Sequence, residues 1–545
     1  MCGERMMVTL TEYFSPRDSN FLTYKQIFLQ KKECNILDKK RLVINMTAQL
    51  VAFVVNLGVS FVLTPIIDGM LPNTIGFVNM ANQFVQWAQV VVSALNTLAS
   101  RYITIHLHKG EEQEANEYFS SVFFANMLMA AVFLVPALFV IVFVGRLFQV
   151  PAASLTDVQI LFAFIFLNFF ISIITSVFSV STYSTNRLEL TSIVTIITEL
   201  VRVAILYLTY RFLTPYLFYV GIASVVSTAI LAIANAGFTK KLLSGIKITI
   251  KNFRWPKVIE LISLGAWNSV TRLGQMLLDG LDTFISNIFI DAEAMSLLVL
   301  AKYVPTTLSG LMGTLVGVFA PSITIAYAKG DKKELMDVLK SSNRIMIFMM
   351  SIPIAFVTAY GDKFFNLWLG YKKPEEITLI YHLAVLSMGV LFVSASIQVL
   401  YQVFIITKKI KLNSIVIVAS GVISTALVFV LLETTDLGLY AIAGVSVVVG
   451  LVRNMIFTPI YAAKCLEVKW NTFYSDIFMG LASIGIITAV ALVSKLFLPM
   501  DNWIGFFASG MFMGCVALVL NFFIVLRKTE RQMVLDKVMS KIKRS

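Results

Sequence analysis

Two stretches set the architecture of this chain: Ser100–Glu114, SRYITIHLHKGEEQE, and Ala320–Glu334, APSITIAYAKGDKKE. They lie 220 residues apart and share Ile103/Ile323, Thr104/Thr324, Ile105/Ile325, Lys109/Lys329, Gly110/Gly330 and Glu114/Glu334. A second pair, Thr185–Val194 (TNRLELTSIV) and Thr407–Val416 (TKKIKLNSIV), repeats at nearly the same offset. Two matches in register indicate an internal duplication of about 220 residues. In a membrane protein such a repeat points to a transporter of two halves with its site between them.

The composition says membrane. Of 545 residues, 58% are hydrophobic and 14% charged, against a soluble norm of roughly 25% charged. Mean hydropathy is +0.82. Apolar stretches long enough to cross a bilayer fall near 42–67, 75–105, 117–144, 157–183, 188–213, 215–239, 258–288, 295–326, 335–360, 377–406, 412–432, 438–463, 474–497 and 503–526. The expectation is an all-α polytopic membrane protein with about fourteen transmembrane helices.

The net charge of +13 is a topology signal and not a nucleic-acid groove, because Lys and Arg gather in the tails and in alternate loops. The loop after span 6 carries Lys240, Lys241, Lys247, Lys251, Arg254 and Lys257; that after span 8 carries Lys329, Lys332, Lys333 and Lys340; that after span 10 carries Lys408, Lys409 and Lys411. The opposite loops are poor in them, so both termini are expected in the cytoplasm. Spans 2 and 8 are an even number apart, so the halves are parallel. The expected organisation is a tail over 1–40, an N-lobe over 41–245 (spans 1–6), a C-lobe over 246–465 (spans 7–12), spans 13 and 14 over 466–526, and a basic tail over 527–545. Residues 1–37 lack an apolar signal core and read as a cytoplasmic tail or as translation from an upstream start codon.

Polar residues inside spans are expensive and therefore informative. Span 2 places Asn79, Asn82, Gln86, Gln89, Ser93, Asn96 and Ser100 on one helical face. Span 7 does the same with Asn268, Arg272, Gln275, Asp279, Asp282 and Ser286. Span 1 offers Asn45, Gln49, Asn56 and Ser60; span 8 offers Lys302, Thr306, Ser309 and Gly313. One or two such residues per helix serve as interhelical glue; seven on one face favour a water-filled central cavity. Arg272, mid-span, is the candidate anion ligand. Asp282 and Lys302 lie at similar depth and can pair, as a structural bridge or as a gate. Glu199 and Arg202, at i,i+3, neutralise each other, with ion coupling at Glu199 as the alternative. Arg453 reads either as a second cavity cation or as a residue near the inner mouth.

Other chemistry is missing from the sequence. There is no GxxxxGK[ST], HExxH or GxSxG, and the four cysteines and three histidines show no metal-ligand spacing. No enzyme activity, cofactor or metal is expected.

With its six-helix halves and the phrases SRYITIHLHKG, SITIAYAKGD, LLDGLDTFIS and AKYVPTTLSGLMGTLVGVFAPSIT, the chain resembles the polysaccharide-transporter, or lipid-linked oligosaccharide flippase, branch of the multidrug/oligosaccharidyl-lipid/polysaccharide superfamily over about residues 40–526. The resemblance implies a V-shaped, MATE-like bundle working by alternating access. Its cargo would be undecaprenyl-diphosphate-linked oligosaccharide, moved from inner to outer leaflet of the cell membrane. Arg272 and Lys302 would hold the diphosphate, and the span 2 amides Asn79, Asn82, Gln86 and Gln89 would meet sugar hydroxyls; Asn268, Gln275, Asp279 and Asp282 complete the expected substrate-binding set. Implied partners are that glycolipid, membrane lipids and glycan polymerases or glycosyltransferases, with no nucleic acid. The alternatives are a cation-coupled multidrug exporter of the same superfamily or a lipid II flippase.

Overall fold

The computed structural model describes residues 44–45, 47–49, 51–527 and 531–532; the two expected tails lie largely outside these. Every regular element among the described residues is helical. The helices, named in chain order, are α1 Thr47–Met70, α2 Ile75–His108, α3 Glu112–Leu147, α4 Ala152–Ser184, α5 Leu188–Phe212 and α6 Phe218–Leu242. Then come α7a Trp255–Asp279 and α7b Asp282–Phe289, α8 Ala292–Ala328, α9 Lys332–Trp368, α10 Pro374–Ile406, α11 Ile410–Thr434, α12 Leu439–Cys465, α13 Tyr474–Ser494 and α14 Trp503–Ile524. Twelve are long and apolar enough to cross a membrane. The two that fall short, α2 and α7, are those whose polar stripes lower their hydropathy. The expected count of fourteen spans thus stands at twelve by length and apolarity.

The span expected over 258–288 is broken. Gly280 closes α7a, and Asp282 opens α7b in its first turn. Glycine is a poor helix residue and a carboxylate is favoured at a helix N-terminus, so LLDGLD encodes the interruption.

The duplication is legible in the backbone. After α2, Gly110 takes φ +76°; after α8, Gly330 takes φ +74°. Lys109 and Lys329 cap equivalently, donating to Ile105 O and Ile325 O. In the second pair, Asn186 (φ +53°) and Lys408 (φ +57°) turn the chain alike. Upstream of them, α4 and α10 each tighten into a 3₁₀ turn, Ser176–Ser179 and Gln398–Leu400. Repeated sequence has kept repeated turns.

The helices pack in two sets. In the first, α2 lies on α3 and α4, and α6 on α4 and α5; in the second, α7a lies on α11, and α10 on α8, α9 and α12. The α7a–α11 approach is close: a Cβ on Gly274 would stand 2.6 Å from Val418 N, and one on Gly421 2.8 Å from Gly274 O. Helices α13 and α14 attach to the second set through α9 and α10. Asn521 of α14 anchors them, donating to Phe348 O (3.0 Å) and Ser351 Oγ (2.7 Å) and accepting from Ser483 Oγ (2.5 Å).

Candidate functional site

A cavity of about 610 Å³ lies between the two sets, walled by α1, α2, α7 and α8. Of the residues expected there, Asn79, Gln86, Gln89, Arg272, Gln275, Asp279, Asp282 and Lys302 all line it. Arg272, Gln275 and Asp279 follow one another at i, i+3 and i+7 and are all exposed on its wall. Gln275 donates to Asp279 (2.5 Å), so Asp279 is engaged from its own helix. Among the described residues no carboxylate lies within ion-pair distance of Arg272, which leaves its charge available to a ligand. Lys302 and Asp282 form an ion pair across the α7b–α8 junction, with Asp282 4% exposed.

Two expected residues stand apart. Asn82 is exposed, but its amide donates back to Val78 O (2.8 Å) and it is outside the lining. Asn268 lies one turn from Arg272 toward the end of the bundle that carries the basic loops, where the wall has closed. There a Cβ on Gly265 would fall 1.9 Å from Ala94 O, and Ser93 Oγ meets Ser269 Oγ at 3.2 Å. This seam also divides the α2 stripe. Its far half lines the cavity. Ser93 joins the seam, and Asn96 turns into the first set, exchanging amide hydrogen bonds with Asn126 (3.0 and 3.1 Å). Interhelical glue therefore accounts for these two residues.

Sequence reading passed over Gln83 and Thr283. Gln83 Nε2 donates to Asn79 Oδ1 and Thr283 Oγ1, both at 3.1 Å, and Thr283 donates to Asn79 (3.2 Å). The signal was present, since Gln83 sits at i+4 from Asn79. Adjacent Asn82 fits the same rhythm, and periodicity alone does not choose between them.

At the end opposite the basic loops, further bonds tie the sets together. Trp368 Nε1 donates to Phe61 O (2.9 Å) and Gly76 N–H to Ser296 Oγ (3.3 Å). Gln149 N–H donates to Asn287 Oδ1 (2.9 Å). Asp68 of α1, fully buried, is paired with Lys372 (3.0 Å) and accepts from Tyr371 OH (2.8 Å), both on the α9–α10 loop. Burial, then the neighbouring Asp68 carboxylate, push the Tyr371 phenol up, so it stays a donor. Phe53 reaches Gly310, but a Cβ on Gly313 or Gly317 would meet nothing within 4 Å, and both glycines are exposed. Bonds between the sets close the far end; toward the basic end the α2–α7a wall is closed, and open space lies beside Gly313 and Gly317 of α8.

The remaining candidates are elsewhere. Glu199 and Arg202 of α5 pair at 3.6 Å, and Asn56 of α1 donates to Glu199 (2.8 Å); neither lines the cavity. Arg453 is 8% exposed and lines a second chamber of about 430 Å³ inside the second set. The chamber shares Gln275, Asp279, Lys302 and Thr306 with the main cavity.

The sequence and the fold are similar to those of known proteins. The family described as "Polysaccharide biosynthesis protein" matches residues 40–326. The chain is 27% identical over 495 residues to a protein of Bacillus subtilis (strain 168) named "Uncharacterized membrane protein EpsK", covering 91% of this chain and 97% of that one. Its fold is similar to the inward-facing conformation of a multidrug resistance MATE family transporter of the MOP superfamily (TM-score 0.58, 13% identity, 78% of this chain and 97% of that one). It is equally similar to the inward closed conformation of the lipid II flippase MurJ (TM-score 0.58, 12% identity, 88% and 98%).

Proposed function

Because the chain belongs to the polysaccharide biosynthesis protein family, we propose that this membrane transporter is a flippase for undecaprenyl-diphosphate-linked oligosaccharide, carrying it from the cytoplasmic to the outer leaflet by alternating access. The observation that carries the reading is the cavity between the sets, with Arg272 unpaired on one wall and a row of amides on the other. A diphosphate crossing the membrane needs cations, and Arg272 and Lys302 supply them. Sugar hydroxyls need donors and acceptors, and Asn79, Gln83, Gln86, Gln89 and Gln275 offer both.

The spread of Lys and Arg supports a cytoplasmic position for both termini and for the basic end. The described state is then the loading state, closed outward. The open space along α8 beside Gly313 and Gly317 would let a polyprenyl tail remain in lipid while the head group enters. An anion leaving an inside-negative cell gains about 2.3 kcal/mol per charge per 100 mV, a drive that needs no nucleotide. Helices 1–6 and 7–12 act as the two lobes; α13 and α14 brace the second and line neither chamber.

The test is Arg272→Ala in cells. Surface glycan should be lost and lipid-linked oligosaccharide should build up in the cytoplasmic leaflet while protein level holds. Unchanged surface glycan removes Arg272 from the site. Deletion of the gene that spares all glycans and only raises drug sensitivity overturns the flippase reading in favour of a drug exporter.

A further inference from the structure

The second chamber holds a charge that the fold leaves unanswered. Arg453 is more than nine-tenths buried. Its Nε donates to Asn454 Oδ1 (3.2 Å), its Nη1 is buried without a hydrogen-bond partner, and among the described residues no carboxylate stands within ion-pair distance. A buried guanidinium left this way is costly unless an anion joins it.

Local structure aims the side chain here. Residues Arg453–Phe457 form a π turn within α12, a wide turn that recurs at functional sites. The sequence explains it. Pro459 has no N–H to donate to Met455 O, which accepts from Tyr474 OH instead (2.8 Å). Two more groups that line the chamber are buried and unpartnered, Asn413 Oδ1 of α11 and Ser387 Oγ of α10. Lys302 and Asp279 stand on the side shared with the main cavity, each already engaged, by Asp282 and by Gln275; the unanswered guanidinium, with a free acceptor and a free hydroxyl, suits a carboxylate borne on a polyol.

We infer that this chamber binds the carboxylate of an acidic sugar unit, with Arg453 as its counter-charge and Asn413 and Ser387 on the neighbouring hydroxyls. The inference rests on the flippase reading: the glycan reaches from the diphosphate at Arg272 and Lys302 past Thr306 into the second set. About 430 Å³ is room for a sugar ring and more than a lone inorganic ion needs. The chamber thus selects for acidic repeat units, while the main cavity reads the diphosphate common to all.

The purified full chain tests this by ligand-induced thermal stabilisation, titrated with sodium glucuronate, glucose, sodium acetate and sodium chloride. Glucuronate should stabilise the wild type at lower concentration than the other three. Arg453→Gln should weaken the glucuronate response about 10- to 100-fold, the loss of one charged hydrogen-bond partner. If Arg453→Gln fails to fold, Asn413→Ala should weaken glucuronate and leave the acetate response in place. Glucose matching glucuronate overturns the proposal, as does acetate or chloride matching it, which leaves a small-anion site only. Farnesyl diphosphate serves as a separate probe of the main cavity. Failure of the wild type to respond to it counts against the flippase reading, whereas a response to it without one to glucuronate sinks the acidic-sugar site alone.

Discussion

The buried pair Asp68–Lys372 makes a quantitative prediction about the far-end closure. Asp68 belongs to α1 and Lys372 to the α9–α10 loop, so the pair exists only while the two sets meet at that end. Their side chains are 0% and 5% exposed. Removing one partner of a buried pair costs about 3–5 kcal/mol. Glu376, 3.5 Å from Lys372, retains part of the neutralisation, which leaves about 2–3 kcal/mol for Asp68→Ala. That loss falls on the closed state and should move the equilibrium toward a far-end-open state by about 30- to 150-fold. The assay is labelling of Gln86→Cys, on the cavity wall, by a membrane-impermeant maleimide from outside the cell, with Cys2, Cys34, Cys465 and Cys515 replaced by serine. Labelling should be slow with Asp68 intact and much faster in Asp68→Ala. The double variant Asp68→Leu/Lys372→Met, which leaves no orphaned charge, should return toward the slow rate. Unchanged labelling in a folded Asp68→Ala protein would show that this pair does not hold the gate.

Three further outcomes are expected. Gly265→Ala must push α2 off α7, because its Cβ would lie 1.9 Å from Ala94 O; a loss of about 1–3 kcal/mol should appear as a lower melting temperature. Gly330→Ala, at φ +74° with open space around it, should destabilise by about 1 kcal/mol from backbone strain alone, and Gly330→Asn by less; equal melting temperatures for both would count against the strain argument. Glu199→Gln leaves Arg202 without its neutralising carboxylate and should lower stability by about 1–2 kcal/mol while the cation dependence of transport stays as in wild type. Loss of that dependence would make Glu199 a coupling residue.

Much of this architecture could be read along the chain because its causes are local or periodic. Membrane helices satisfy their own backbone and declare themselves by apolar length, and the observed helices follow the expected stretches closely. The duplicated phrases fixed the turns at Gly110 and Gly330. Polar rhythm put Arg272, Gln275 and Asp279 on one face, and depth counting put Lys302 within reach of Asp282.

What periodicity lacks is a partner. It placed seven polar residues on one face of α2 without distinguishing a residue facing water from one facing another helix. Close approach at Gly265 and Ala94 decided that the polar lining of the cavity on α2 ends at Gln89 and that Ser93 serves packing, while Asn126 claimed Asn96. Likewise Asp68 and Lys372 are 304 residues apart, and nothing in either neighbourhood announces the other. Arg453 was an isolated charge in the sequence. Only the packing of α7a, α8, α10, α11 and α12 around it made it one wall of a chamber, because burial and the absence of a counter-charge are properties of neighbours that only folding brings together.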